Sequence, residues 1–222
     1  MRRNNPWLHS VRLRSTGGDY LEGMRIGRIL RRYLTYVQAP LKVKGGTVPW
    51  DLPDVRGNTI CEDANCVCAS SCGLIWLGGV WRWGNPGFHR PTSAELGALS
   101  PGEAAAIYRR IFEELASYAS EVEIPAFVID YIRSTNSDSI RWLTHDEVDE
   151  LEYPLSIAEW LAARCGRMSQ NEKSLFDRLW AKSHSTDFTS DERASLTRLQ
   201  GRQNQLSKCA LSNIYQERAK IQ

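Results

Sequence analysis

Three short segments hold residue types that can do covalent chemistry. The first is Cys68-Ala69-Ser70-Ser71-Cys72-Gly73, which runs into the apolar Leu74-Ile75-Trp76-Leu77 and then Gly78-Gly79. A serine flanked by small residues suits a sharp strand-to-helix elbow, with its hydroxyl exposed at the helix N-terminus. There the helix dipole and unpaired N–H groups favour developing negative charge. The plainer reading of Ser70 is an N-cap, the commoner use of a serine ahead of an apolar helix. The second segment is Gly87-Phe88-His89-Arg90-Pro91. A histidine beside a proline is commonly just a surface residue. A serine nucleophile needs a base within hydrogen-bond reach, however, and a helix followed by a returning strand would bring His89 back to Ser70. The third is Ser15-Thr16-Gly17-Gly18-Asp19. Paired glycines after a strand can aim backbone N–H groups into a site, or can simply make a turn.

The cysteines are unevenly placed. Cys61, Cys66, Cys68 and Cys72 cluster near the serine, while Cys165 and Cys209 lie far downstream. The cluster lacks the paired Cys-x2-Cys knuckles of structural zinc sites, so disulfides or buried thiols are expected rather than a metal. A Cys61–Cys66 or a Cys68–Cys72 bridge would brace the elbow, and Cys165–Cys209 would tie the C-terminal helices together. Connectivity stays open at the level of sequence. Such cysteine usage fits an oxidising compartment, periplasmic or secreted. The basic start, Met1 to Trp7, has no apolar stretch behind it and does not read as a signal peptide. Either the chain is cytoplasmic or its true N-terminal end precedes this sequence.

Stepping out from these residues, Val11 to Arg14 reads as a strand entering the Gly17-Gly18 turn. A helix follows, with Ile26, Ile29, Leu30, Tyr33, Leu34 and Val37 as its buried face and Arg25, Arg28, Arg31 and Arg32 as its solvated face. Pro40 ends it. Leu41 to Val43 reads as a strand and 45–58 as irregular, rich in glycine and proline. Cys72 to Leu77 reads as a buried helix. Ser100-Pro101-Gly102-Glu103 is a capping box that opens a long helix. Pro125 opens another through about Arg133. Ile140 to Leu143 reads as a strand, and Thr144/Glu147 as a further capping box. After Pro154 the pairs Ser156/Glu159, Ser169/Glu172 and Thr189/Glu192 predict three or four helices in a separate appendage, 154–222.

Composition narrows the partners. The chain has 222 residues and a net charge of +2 from 28 basic and 26 acidic side chains. That balance gives no reason to expect nucleic acid. No apolar run approaches the ~18 residues of a membrane span, so no transmembrane segment is expected. Trp76, Trp81 and Trp83 lie near the serine and could line a peptide groove. Trp142, Trp160 and Trp180 read as core.

Taken in order, the Ser-x-Gly-Gly turn and helix, the Cys-Ala-Ser-x-Cys elbow with its apolar helix, and the Gly-Phe-His-Arg-Pro loop resemble the ClpP/crotonase fold family. They are most similar to bacterial exported ClpP-like proteins, with Thr16 where the family typically has proline. The resemblance spans about 11–153. It implies an α/β spiral of ββα units in 1–153, and says nothing of 154–222. It further implies Ser70 as nucleophile, His89 as general base, and the N–H groups of Gly18 and Ser71 as the oxyanion hole. Ser71 is the alternative nucleophile. For the orienting third residue Asp138 is preferred and Asn136 sits nearer the family offset. A dyad without an acid is a further alternative.

The expected activity is therefore serine hydrolysis, that of a peptidase acting on a peptide or protein substrate, with no metal or organic cofactor required. Proteins of this fold commonly form rings or trimers, which implies a homo-oligomer. The alternative is a binding or scaffold protein on the same fold with catalysis lost. An acyl-CoA enzyme of the crotonase kind ranks last.

Overall fold

A computed structural model of the chain describes residues 10–40, 42–43, 46–47, 67–92, 99–183 and 185–220. The Met1 to Trp7 segment, Leu41, Cys61, Cys66 and most of 45–58 lie outside these. The chain divides into two compact units, 1–155 and 156–222.

In the first unit, β1 (Ser10–Arg12), β2 (Tyr36–Gln38) and β5 (Trp81–Trp83) form a parallel sheet in the order β1-β2-β5. Parallel neighbours require crossover connections. The helix α1 (Tyr20–Arg32) lies in the first. The second contains the short antiparallel pair β3 (Lys42–Val43) and β4 (Gly46–Thr47), and then α2 (Ser71–Leu77).

Each of these strands leads to a second, smaller tier. Ser15 bridges Cys68 in parallel, and Ala69 bridges Gly87 in parallel. The strand β6 (Gly87–Phe88) then pairs antiparallel with β7 (Arg141–Trp142). The first tier, the second tier and a helix thus recur three times. The helices are α1, α2 and α3 (Pro101–Glu121), followed by α4 (Ala126–Ser134) and α5 (His145–Glu150). The second tier delivers Gly17-Gly18, Ser70 and His89 to one region of the unit.

The buried face of α1 differs from the expected one. Tyr20, Gly23, Met24 and Gly27 are buried, whereas Ile26, Ile29 and Tyr33 are 41%, 52% and 44% exposed. The cause is the close approach of α2. A Cβ at Gly23 would lie 2.8 Å from the Ser71 carbonyl oxygen, and one at Gly27 would lie 3.1 Å from that of Leu74. Only a glycine row lets the two backbones meet this closely, and it turns the isoleucine row outward. The arginine row is not simply solvated either. Arg28 pairs with Glu114 and Glu121 of α3, and the Arg31 guanidinium donates to the Val122 carbonyl at 2.7 Å.

Arg82 is fully buried and makes no ion pair with a carboxylate among the described residues. Its guanidinium donates to the carbonyls of Gly79 at 2.9 Å, Leu151 at 3.2 Å and Val122 at 3.3 Å. These carbonyls end α2, α5 and α3, so the negative ends of three helices converge on one cation. Removing the side chain would take the donor from the Leu151 carbonyl, at about 1–3 kcal/mol, whereas Val122 and Gly79 keep Arg31. Trp76, under the Arg82 guanidinium, and Leu77, Phe88, Leu115 and Tyr118 are fully buried in the core; each contributes on the order of 1.5–3 kcal/mol. The Trp76 indole is satisfied by the Trp83 carbonyl at 2.9 Å.

The capping boxes at Ser100/Glu103 and Thr144/Glu147 are formed. In the second unit α6 (Leu155–Cys165), α7 (Gln170–Lys182) and α8 (Ser190–Ala219) are helical, and Ser169/Glu172 and Thr189/Glu192 cap the last two. Ser156 is not a cap, because α6 already begins at Leu155. Leu179, Phe188, Leu196 and Leu199 form the apolar cluster, and a Cys165–Cys209 disulfide joins α6 to α8. Trp180 is not core: it is 52% exposed and stacks on Phe176 with ring centroids 5.9 Å apart.

Candidate active site

Ser70 occupies the N-cap position of α2 but makes no side-chain capping bond. Its backbone stands at φ 61°, ψ −126°. A non-glycine residue there costs about 1–3 kcal/mol and persists only when its surroundings fix it. Several contacts do so. The Ser70 N–H donates to the Gly87 carbonyl at 2.9 Å, and Ala69 N–H to Ser15 at 3.0 Å. A Cys68–Cys72 disulfide closes over the elbow, with the Cα atoms 5.2 Å apart. The local chain is therefore arranged to turn at Ser70 while leaving its hydroxyl unused by the helix.

Gly17 has φ 127°, and a Cβ on it would lie 2.7 Å from the Ser70 Cβ and 3.1 Å from the Ser70 Oγ. The glycine turn thus abuts the serine side chain. The Gly17 N–H is taken by the Ser15 hydroxyl at 3.2 Å. The N–H groups of Gly18 and Ser71 have no acceptor among the described residues. A Cβ on Gly18 would stand 3.6 Å from the Ser71 Oγ, so these two donors flank the elbow. Two free, preorganised N–H groups beside a serine hydroxyl can stabilise an oxyanion.

His89 follows β6 and is half-buried. Gly87, two residues before it, accepts from Ser70 N–H, so the backbones of the two candidate residues run side by side. The His89 Nδ1 lies 2.8 Å from the Arg90 carbonyl oxygen. A carbonyl only accepts, so Nδ1 is the donor here, and in the neutral ring that leaves the lone pair on Nε2. That is the tautomer a general base needs. Among the described residues no hydrogen bond joins Ser70 to His89.

Tyr20 is the residue that sequence reasoning missed. This first residue of α1 is buried, and its phenol donates to the His89 carbonyl. Burial raises its pKa well above the ordinary phenol value, and a hydrogen bond from the Ser70 hydroxyl offsets part of the rise. The phenol therefore stays protonated and links the serine to the backbone of the histidine. An aromatic two residues after a glycine pair gives no sequence signal that separates this role from core packing.

Asp138 is exposed, and its carboxylate accepts from the Ser139 hydroxyl at 3.1 Å. No hydrogen bond joins it to His89 among the described residues. The alternative, Asn136, lies on the histidine segment: its Oδ1 accepts from the Arg90 guanidinium at 3.0 Å, while the Thr135 carbonyl accepts from Arg90 N–H at 3.0 Å. Among the described residues, no group of three or more His, Cys, Asp or Glu side chains is placed to hold a metal ion. No helix is long and apolar enough to cross a membrane among those residues.

Compared with known proteins, the chain matches no family model, no curated protein and no solved structure.

Proposed function

We propose that the chain is a serine hydrolase, a peptidase acting through an acyl-enzyme at Ser70, on a spiral of ββα units of the ClpP/crotonase kind. The observation that carries this reading is the Ser70 elbow: a positive-φ serine at a helix start, freed from capping, between the N–H groups of Gly18 and Ser71, which have no acceptor among the described residues. The threefold recurrence of strand, bridge and helix supports the spiral.

In this mechanism the Ser70 Oγ attacks the substrate carbonyl carbon and its proton passes to His89 Nε2. The carbonyl oxygen becomes an anion held by the Gly18 and Ser71 N–H groups. The C–N bond then breaks, and the leaving amine takes the proton from His89. Water, deprotonated by His89, attacks the acyl-enzyme and releases the acid and Ser70. The Arg90 carbonyl orients the imidazole in place of a carboxylate, so the unit works as a dyad. The mechanism requires neither a metal nor an organic cofactor.

Two disulfides support an oxidising compartment, periplasmic or extracellular. A homo-oligomer is part of the same proposal. A second reading, a binding protein with catalysis lost, is favoured by one observation: among the described residues no hydrogen bond joins the Ser70 hydroxyl to His89, whose Nδ1 faces the Arg90 carbonyl. Labelling with a fluorophosphonate probe separates the two. Covalent labelling of the folded wild type that Ser70→Ala abolishes supports the hydrolase, whereas no labelling supports the binding protein.

A further inference from the structure

Next to the His89 segment lies an open cleft of about 380 Å³, lined by Arg90, Tyr108, Phe112, Arg133 and Ser137. Its size lies at the lower end of small-ligand pockets, room for one or two residues of a peptide. The Tyr108 hydroxyl donates to the Pro91 carbonyl at 3.0 Å, which ties the segment carrying His89 and Arg90 onto α3 beside the cleft.

The two guanidiniums in this cleft make no ion pair among the described residues. Arg90 donates to the neutral amide oxygen of Asn136 at 3.0 Å. Arg133 lies over the Phe112 ring, 5.5 Å from its centroid. Among the described residues neither has an ion-pair partner and no acidic side chain lines the cleft. Four other arginines of this unit do meet carboxylates: Arg25 with Glu22, Arg28 with Glu114 and Glu121, Arg31 with Glu123, and Arg141 with Glu147. Two forked cations converging on one cleft suit a planar carboxylate, which each can bind through two parallel N–H groups. The Tyr108 and Phe112 rings offer apolar contact to the adjoining side chain, and the Ser137 hydroxyl offers a further donor.

We infer that this cleft is a subsite for a carboxylate of the peptide substrate, bound by Arg90 and Arg133 beside His89. The inference rests on the peptidase reading. The carboxylate is either the C-terminus of the peptide or an Asp or Glu side chain, and both present the same group to the guanidiniums.

The test uses the full-length Ser70→Ala protein, which binds without turning over. Its affinity is measured by fluorescence anisotropy for four labelled peptides: one with a free C-terminus, its C-terminal amide, and two amides carrying an internal Glu or Gln. The free acid or the Glu peptide should bind at least about tenfold more tightly than its neutral counterpart, the scale of one charge-assisted pair. Which of the two does so identifies the source. Arg133→Gln should reduce that preference and Arg90→Gln with Arg133→Gln should remove it, with folding checked by circular dichroism. Equal binding of acidic and neutral peptides, no binding of any, or a preference that survives the double substitution would overturn the subsite. Fluorophosphonate labelling of the wild type is measured in parallel. Labelling intact with the preference absent condemns the cleft and leaves the hydrolase standing.

Discussion

The Tyr20 phenol donates to the carbonyl of His89 across a sequence separation of 69 residues. The Ser70 side chain acts on the same phenol, offsetting part of the rise that burial gives its pKa. One buried tyrosine therefore holds both candidate catalytic segments, and it does so from the start of the helix that follows the glycine turn. In the proposed enzyme Tyr20 is a positioning residue. Tyr20→Phe keeps the ring and removes the link. Fluorophosphonate labelling of the variant should slow about tenfold, against a stability loss of only about 1 kcal/mol, the net value of one hydrogen bond. A stopped labelling time course alongside a thermal melt checks both.

Gly17 leaves no room for a side chain. Gly17→Ala places a methyl group 2.7 Å from the Ser70 Cβ and forces an L-residue into φ 127°. The strain should cost more than about 1 kcal/mol. Labelling of Ser70 should be lost even where the variant remains folded, which circular dichroism and probe labelling together report.

The Cys68–Cys72 disulfide closes over the Ser70 elbow. Replacing both cysteines with serine should slow labelling by relaxing a backbone that costs about 1–3 kcal/mol to hold. The Cys165–Cys209 bridge closes a longer loop, with a sequence separation of 44. Its reduction should destabilise the C-terminal helices by about 3–4 kcal/mol. Thermal melts of the matching serine variants, each compared with the oxidised wild type, measure the two effects separately.

Glu147 sets an acid limit. Burial tends to raise its pKa, but bonds from the Tyr131 hydroxyl and the Thr144 N–H, with the charge of Arg141, leave it below the ordinary carboxylate value. A carboxyl whose pKa is depressed on folding adds stability above its unfolded pKa of about 4.3, and that stability is lost as pH falls through the folded value. The wild type should therefore lose stability below about pH 4. Glu147→Gln should show a shallower decline over the same range, measured by urea denaturation.

How far this was legible in the sequence depends on what each feature rests on. Local chemistry reads well: the Ser100, Thr144, Ser169 and Thr189 caps depend on residues three apart, and all four form. The elbow helix at Ser71–Leu77 follows from an apolar run between small residues. Contacts between distant segments do not read. The buried face of α1 was set by glycines whose role appears only when α2 lies against them, so an apolar count picked the wrong row. The Tyr20 link and the Arg90 carbonyl on His89 are likewise invisible, one because it spans the chain and the other because every residue has a carbonyl. Asp138 has the charge an orienting residue needs, and its carboxylate accepts from the neighbouring Ser139 hydroxyl.

The central claim is an activated serine at position 70, and site-mapped probe labelling tests it most directly. The purified wild type, Ser70→Ala, Ser71→Ala and His89→Ala are incubated with a fluorophosphonate, digested, and the modified peptide identified by mass spectrometry. The account predicts a modified Ser70 in the wild type and in Ser71→Ala, and none in Ser70→Ala or His89→Ala. A folded wild type that stays unmodified, or labelling that persists in Ser70→Ala, would contradict it.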